Sequence, residues 1–155
     1  MDDLNPSYLL EQFRLIEEYL RRARGIAARP REEYLQDPNL VDASVRQLTV
    51  LFETCHNVAK HLISRFDWRP PDTKAEAFEI LCEHGVVTED IQDAFRSAAR
   101  FRNLVTYQTA IVQDDIVYRI LQEHLADFES FLAAIAQWLK NQGDSLAVER
   151  IDPRK

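Results

Sequence analysis

Three arginines lie close together in the second half of the chain, at Arg96, Arg100 and Arg102. A guanidinium offers a planar fork of N–H donors that matches phosphate oxygens. Amide and hydroxyl groups bond sugars or base edges, and an aromatic ring stacks on a base. Side chains of these other kinds follow the arginines directly: Asn103, Thr106, Tyr107 and Thr109. The cluster therefore indicates a site for a phosphate-containing ligand, and RNA is one such ligand.

Arg102 interrupts the apolar stripe of a predicted helix. At about 100° per residue it falls on the same side as Ile91, Phe95, Ala98 and Val105. A guanidinium stays charged at any ordinary pH, and an unpaired buried charge is very costly. Either this side of the helix lines a polar cleft or a subunit interface, or an acid from another helix pairs with Arg102.

Glu53 is the candidate for that acid, because it lies beside the inward-facing Phe52 and Cys55 of an earlier predicted helix. Two interpretations of a pair between Glu53 and Arg102 remain open. In the first, the pair only neutralises a charge in the core, and the other two arginines are solvated. In the second, Glu53 orients Arg102 within a functional site.

Other kinds of chemistry find no support in the residue patterns. His56 and His61 are five residues apart, so they do not share a helical face as a pair of metal ligands would. Cys55 and Cys82 lie inside helical patterns and are expected to be reduced core residues. The chain has no Gly-x-Ser-x-Gly turn, and its three glycines are too scattered for a phosphate-binding loop. We therefore expect neither a metal nor a cofactor.

The composition is that of a globular helical protein. The chain has 155 residues, 46% of them hydrophobic, with only 3 glycines and 6 prolines. This length suits one domain, which we place at residues 1–142, followed by a flexible polar tail at 143–155. The net charge of −7 argues against a general nucleic-acid coat protein, although a local basic groove remains compatible with it. No apolar run resembles a secretion signal or a membrane span, so we expect a cytoplasmic protein.

The hydrophobic periodicity predicts an all-α, antiparallel bundle of about five helices. Their approximate limits are 5–29, 40–66, 73–84, 88–104 and 114–142. A short helical turn is expected at 31–36, a rigid loop at 68–72, and a loop or frayed helix end at 105–112. The last helix is expected to be continuous, with one inward stripe: Ile116, Ile120, Phe128, Phe131, Ile135 and Trp138.

Segments along nearly the whole chain match one protein family in their order and spacing. They include residues 33–37, 51–55, 58–63, 77–81, 85–87, 101–103, 114, 117–118 and 120–121. On these segments the chain resembles the HepT-like (DUF86) branch of the HEPN superfamily. Members of that branch are the toxin partners of minimal nucleotidyltransferase (MNT) antitoxins.

The resemblance implies a homodimer in which two Arg-x4-His motifs face each other and form one composite RNA-cleaving site. Cleavage in such proteins needs no metal: the histidine handles the proton of the attacking 2′-hydroxyl, and the arginine stabilises the phosphorane charge. The antitoxin neutralises the toxin by transferring AMP to a tyrosine two residues beyond the histidine. Glu53 matches the family as the acid that orients the motif arginine.

This sequence departs from the family motif at two positions. Tyr107 stands where the histidine belongs, and Thr109 stands where the AMP-accepting tyrosine belongs. A phenol with an ordinary pKa near 10 is a poor general base near neutrality.

Our leading hypothesis is a HepT-like toxin that acts on or binds RNA. Its catalytic candidates are Arg102, Asn103 and Tyr107, and its candidates for RNA or nucleotide binding are Arg96, Arg100, Thr106 and Thr109. The second hypothesis is a non-catalytic member that binds a nucleotidyltransferase partner or a nucleotide. The third is a plain helical oligomer in which the pair of Arg102 and Glu53 is structural.

Overall fold

The computed structural model describes residues 5–107 and 114–142, and for residues 106 and 107 it describes the backbone. Every regular element in these ranges is an α-helix, and there are seven of them. Their limits are α1 Pro6–Ala27, α2 Arg31–Gln36, α3 Pro38–Arg65, α4 Lys74–Glu83, α5 Glu89–Tyr107, α6 Asp114–Glu123 and α7 Leu125–Asn141. The predicted all-α bundle is confirmed, while the expected number of about five helices was too low.

Polar side chains fix where the helices begin. The Asn5 side chain accepts a hydrogen bond from the Tyr8 N–H at 3.0 Å, and Pro6 occupies the first turn of α1, where its missing N–H costs nothing. Asp37 caps α3 in the same way, so this helix begins at Pro38, two residues before the predicted start at Leu40. The sequence signals for helix starts therefore hold, with small shifts in position.

The two longest helices, α1 and α3, pack together antiparallel and form the centre of the bundle. The start of α1 lies beside the end of α3, where the backbone N–H of Asn5 donates to Nε2 of His61 at 3.1 Å. The inner face of α1 is fully apolar and buried: Leu9, Phe13, Ile16, Leu20, Ala23 and Ile26. Burial of each such large side chain contributes about 1.5–3 kcal/mol, so this contact supplies much of the fold's stability.

An aromatic cluster joins α5 to the rest of the bundle. Phe95 of α5 packs against Phe78 of α4 with ring centroids 4.4 Å apart, and against Phe131 of α7 at 5.1 Å. Phe52 of α3 lies 6.3 Å from the same ring. Because these rings are buried and interlocked, they set how α5 lies relative to α3.

The last predicted helix is two helices, and this expectation was wrong. The chain breaks at His124, between α6 and α7. The buried face of α6 is formed by Val117 and Leu121, whereas Ile116, predicted to be inward, is 43% exposed. The side chains of Tyr118 and Gln122 donate to carbonyl oxygens at the end of α1 and thereby set the rotation of α6 independently of α7.

Two loops contain the left-handed backbone positions of the described chain. Gly85, predicted as a left-handed cap, ends α4 with φ +73°, and Asp67 has φ +56° at the start of the loop between α3 and α4. The predicted helical turn at 31–36 is confirmed as α2. Helix α5 continues to Tyr107, three residues into the segment that was expected to be a loop or frayed helix end, and residues 108–112 lie outside the described ranges.

The predicted polar tail at 143–155 also lies outside the described residues. Among the helices described, none is both long and apolar enough to cross a membrane.

Candidate functional site

The site is built around an ion pair between α5 and α3. Nε of Arg102 donates to Oε1 of Glu53 at 2.6 Å. The two side chains are 21% and 29% exposed, so the pair is half-buried at the edge of the bundle. The predicted pairing is confirmed, and it explains how Arg102 interrupts an apolar stripe without leaving its charge uncompensated.

Lys74, the first residue of α4, is a second cation on the same carboxylate. Its Nζ lies 2.5 Å from Oε2 of Glu53, so each oxygen of Glu53 faces one cation. Burial raises the pKa of Glu53, but the hydrogen bonds from Lys74 and Arg102 outweigh it and lower the pKa overall. We call Arg102, Glu53 and Lys74 the basic triad, because together they carry one net positive charge.

Asn103 is exposed, and its Oδ1 accepts a hydrogen bond from Nη1 of Arg102 at 3.4 Å. The structure thus brings together Arg102, Asn103 and Glu53 from the predicted set. Thr106 and Tyr107 follow on the same helix, but their side chains lie outside the described part of the chain. Thr109 lies outside it altogether.

The other two predicted arginines lie on a different side of α5 from Arg102. Arg96 pairs with Asp93 at 3.0 Å and with Glu79 of α4 at 3.5 Å. Arg100 is exposed, and two positions along a helix place it about 200° around the axis from Arg102. Neither arginine lines the cavity at Arg102, and their role in RNA binding stays a prediction.

A cavity of about 110 Å³ adjoins Arg102. Its wall is mostly apolar and comes from α3, α5, α6 and α7, with these large side chains: Leu48, Phe52, Phe95, Phe101, Ile120 and Phe128. The polar side chains in the wall include Arg102, His124 and Asp127. Aromatic walls beside a fixed cation suit a ligand that combines a flat ring with an anionic group, as a nucleotide does.

His124 occupies the break between α6 and α7 and faces this cavity. Its Nδ1 lies 3.0 Å from Oδ2 of Asp127. Sequence reasoning missed both residues, and it also missed Lys74, because only the packing of separate helices brings them to Arg102.

Two other histidines lie outside the wall of this cavity. His84, the residue directly after α4, stacks on Trp68 of the loop between α3 and α4, with the two ring centroids 3.9 Å apart. His56 is buried beside the ring of Phe52, one turn after Glu53. Its pKa is lowered to about 4, first by burial and then by the nearby charges of Lys74 and Lys60.

The described ranges contain no ready-made cluster of metal ligands. No group of three or more histidine, cysteine, aspartate or glutamate side chains in residues 5–107 and 114–142 is arranged to hold a metal ion. Cys55 and Cys82 are both free thiols, and burial raises the pKa of each. Their predicted state as unpaired residues of the helical core is confirmed for Cys55, whereas Cys82 is only partly buried.

Most of the chain, including the helices that carry this site, also matches a known protein family. The family model of ribonuclease HepT-like proteins matches residues 16–135, which include α3 and α5 in full. The chain belongs to this ribonuclease HepT-like family. The residues that form the basic triad and the cavity all lie within the matched range.

Individual relatives agree with this assignment. The mRNA nuclease HepT of Shewanella oneidensis is 26% identical over 103 residues, which cover 66% of this chain and 77% of that protein. A tri-AMPylated HEPN toxin from Shewanella oneidensis, solved in complex with its MNT antitoxin, has a TM-score of 0.78 at 23% identity, covering 87% of this chain and 98% of its own.

A second solved structure has the same fold. The Bacillus subtilis protein YutE, a cytosolic protein of unknown function, has a TM-score of 0.79 at 20% identity, covering 92% of this chain and 95% of its own. The two solved structures together support the HEPN-like helical fold.

Proposed function

We propose that this protein is the toxin of a toxin–antitoxin pair and that it cleaves RNA phosphodiester bonds, without a metal, at the site marked by Arg102. The observation that carries the proposal is the basic triad, in which Glu53 holds Arg102 at 2.6 Å beside an aromatic-walled cavity. Membership of the ribonuclease HepT-like family supports it, as does the name of the relative from Shewanella oneidensis, an mRNA nuclease.

In this proposal Arg102 stabilises the negative charge that develops on the phosphorane. A fixed guanidinium does this well because it needs no reorganisation during the reaction. Glu53 holds the guanidinium in place through Nε, and Asn103 supports it from the next position on α5. Tyr107 stands at the motif position where the family has a histidine. It acts there either as a weak acid or base or as a stacking group.

The test is an RNA-cleavage assay in the presence of a chelator. We expect the wild-type protein to cleave, and Arg102→Ala to lower the rate about 100-fold to 1,000-fold, as loss of one transition-state donor does. Arg69→Ala is the matched control, because Arg69 is likewise an ion-paired arginine, held by Glu76 and Glu83, but lies outside the cavity. A rate unchanged in Arg102→Ala contradicts the catalytic assignment.

The site is proposed to be completed by a second copy of the chain, as the family's two-motif arrangement implies. A half-buried cavity that opens beside Arg102 is compatible with an interface at this place. Sedimentation or light scattering should give twice the mass of one chain. A monomer at the concentration of the cleavage assay would contradict the composite site.

The proposed partner is an MNT antitoxin. The support is the similar Shewanella oneidensis toxin, which was solved in an AMPylated form with such an antitoxin. Thr109 occupies the position of the AMP-accepting residue in this chain. Co-expression with a minimal nucleotidyltransferase should yield a complex and protect the host cell, and no complex in a pull-down would contradict the partner.

A second function is favoured by one observation, the tyrosine at position 107 in place of the motif histidine. In this alternative the protein does not cleave RNA but binds a nucleotidyltransferase partner or a nucleotide. Stable co-purification with such a partner, together with no cleavage at high protein concentration, would favour it over the toxin activity.

A further inference from the structure

The family motif lacks its histidine in this chain, yet a different histidine shares the cavity with Arg102. Arg102 reaches the cavity from α5, and His124 reaches it from the break between α6 and α7. Both side chains therefore belong to the wall of one cavity of about 110 Å³.

Asp127 gives His124 a defined orientation. A carboxylate 3.0 Å from Nδ1 favours the tautomer that carries its proton on Nδ1, which leaves a lone pair on Nε2 to accept another proton. The nearest charged oxygen to Nε2 is Oε2 of Glu123 at 3.9 Å, beyond hydrogen-bond distance. The His124 side chain is 51% exposed, so a ligand can reach it.

The position of His124 in the fold does not itself require an imidazole. His124 is the residue that precedes α7, but its side chain makes no capping hydrogen bond to the helix. Asn, Ser and Asp are the residues that usually fill such a cap. Histidine therefore caps the helix no better than other residues would, while the cavity gains an imidazole ring that can accept a proton at one nitrogen and donate from the other.

We propose that His124, oriented by Asp127, is the proton-transfer residue of the RNA-cleaving site and replaces the histidine that position 107 lacks. This inference rests on the proposed function. His124 acts as the catalytic base, Asp127 is a positioning residue, and Arg102 stabilises the phosphorane.

The reaction that follows is an internal transesterification. Nε2 of His124 takes the proton of the ribose 2′-hydroxyl, and the 2′-oxygen forms a bond to phosphorus while the bond from phosphorus to the 5′-oxygen breaks. The 5′-oxygen takes a proton from water as it leaves, and the imidazolium returns its own proton to the resulting hydroxide. The products are a 2′,3′-cyclic phosphate and a free 5′-hydroxyl, and no oxidant or metal enters the balance.

The deciding experiment measures cleavage of a labelled RNA by the full chain and by His124→Ala, with and without added imidazole. We expect the substitution to lower the rate at least about 100-fold, within the usual range for a general base. Imidazole in solution should raise the cleavage rate of His124→Ala at least about tenfold, because this small base fits the space that the substitution leaves in the cavity. A merely structural histidine would not be rescued in this way.

A second pair of variants tests the role of Asp127. In the wild-type protein, Asp127→Asn should lower the cleavage rate about tenfold. Added to His124→Ala, the same substitution should leave the imidazole-rescued cleavage rate unchanged, because free imidazole needs no orienting carboxylate. His84→Ala is the matched control, because His84 stacks on Trp68 away from the cavity, and it should cleave like the wild type. His124→Gln, which keeps a side chain of similar size, separates loss of the base from loss of folding.

The outcomes distinguish the two proposals. If the wild type cleaves, Arg102→Ala does not, and His124→Gln cleaves at the wild-type rate, the role of His124 is overturned and the proposed function stands. If the wild type cleaves no RNA at any concentration, the proposed function fails and the role of His124 fails with it. Products that end in a 5′-phosphate would also overturn the proposed chemistry.

Discussion

Two ion-paired networks in this molecule have the same size and opposite charge. In the basic triad one acid, Glu53, lies between two cations. In the second network, which we call the acidic triad, one cation, Arg69, lies between Glu76 of α4 and Glu83 at its end. The basic triad carries one net positive charge, and the acidic triad carries one net negative charge.

The surroundings of the two triads differ more than their composition. The basic triad is half-buried and joins three helices at the wall of an apolar cavity. In the acidic triad, Arg69 and Glu83 are about half exposed, and the network joins the loop after α3 to α4. Ion pairs near water contribute little, whereas a desolvated pair is costly to break. The location of a charge network, and not the number of its bonds, therefore indicates a functional site.

The largest expected difference between the triads concerns activity. Arg102→Lys keeps the charge but loses the planar fork that holds Glu53 and a phosphate together. We expect RNA cleavage to fall about 100-fold in this variant. Arg69→Lys is the control and should cleave at the wild-type rate. An equal loss in both variants would show that the two networks are alike in function.

The second difference concerns stability. Glu53→Gln removes the counter-charge of two partly buried cations, and we expect a loss of about 2 to 3 kcal/mol in the free energy of unfolding. Urea unfolding followed by circular dichroism measures this loss. Glu83→Gln changes an exposed carboxylate of the acidic triad and is the matched control. A smaller loss of stability in Glu53→Gln than in Glu83→Gln would contradict the greater importance of the basic triad for stability.

The third difference is a pH dependence next to the basic triad. Burial lowers the pKa of His56 to about 4, against about 6.5 in the unfolded chain. Between these two pH values the imidazole of His56 is protonated in the unfolded state but neutral in the folded state. The free energy of unfolding therefore falls as the pH falls from about 6.5 to 4. By pH 4.5 the loss from His56 should reach about 2 kcal/mol.

His56→Leu tests this expectation directly. The variant should lose the stability gradient between pH 6.5 and pH 4.5, and the comparison uses this gradient because repacking changes the level of stability at pH 7. Thermal unfolding at several pH values gives the gradient. Glu53, whose pKa is lowered, loses its contribution only as the pH falls below about 4.5, so the two effects occupy different windows.

The sequence predicted the parts of the molecule that depend on local chemistry. Caps such as Asn5 and the left-handed Gly85 mark helix ends through their own backbone preferences. The pair of Glu53 and Arg102 was predictable because a charge on an apolar stripe requires a partner.

The parts that depend on packing were not predictable in this way. The break at His124 contains neither proline nor glycine, so no local signal marks it. Lys74 and His124 reach the site only because α4 and α7 pack at particular angles. The orientation of α6 likewise depends on side-chain bonds to the end of α1, which no periodicity reveals.

The smallest expected effect is that of Arg69→Ala on stability. Arg69 donates to both Glu83 and Glu76, and a count of bonds alone would rank it with Glu53. Because Arg69 and Glu83 are about half exposed to water, solvation replaces most of what these bonds contribute. We expect the midpoint of thermal unfolding to shift by less than about 3 °C. A shift as large as that of Glu53→Gln would mean that the loop after α3 depends on the acidic triad, and exposure would then no longer separate the two networks.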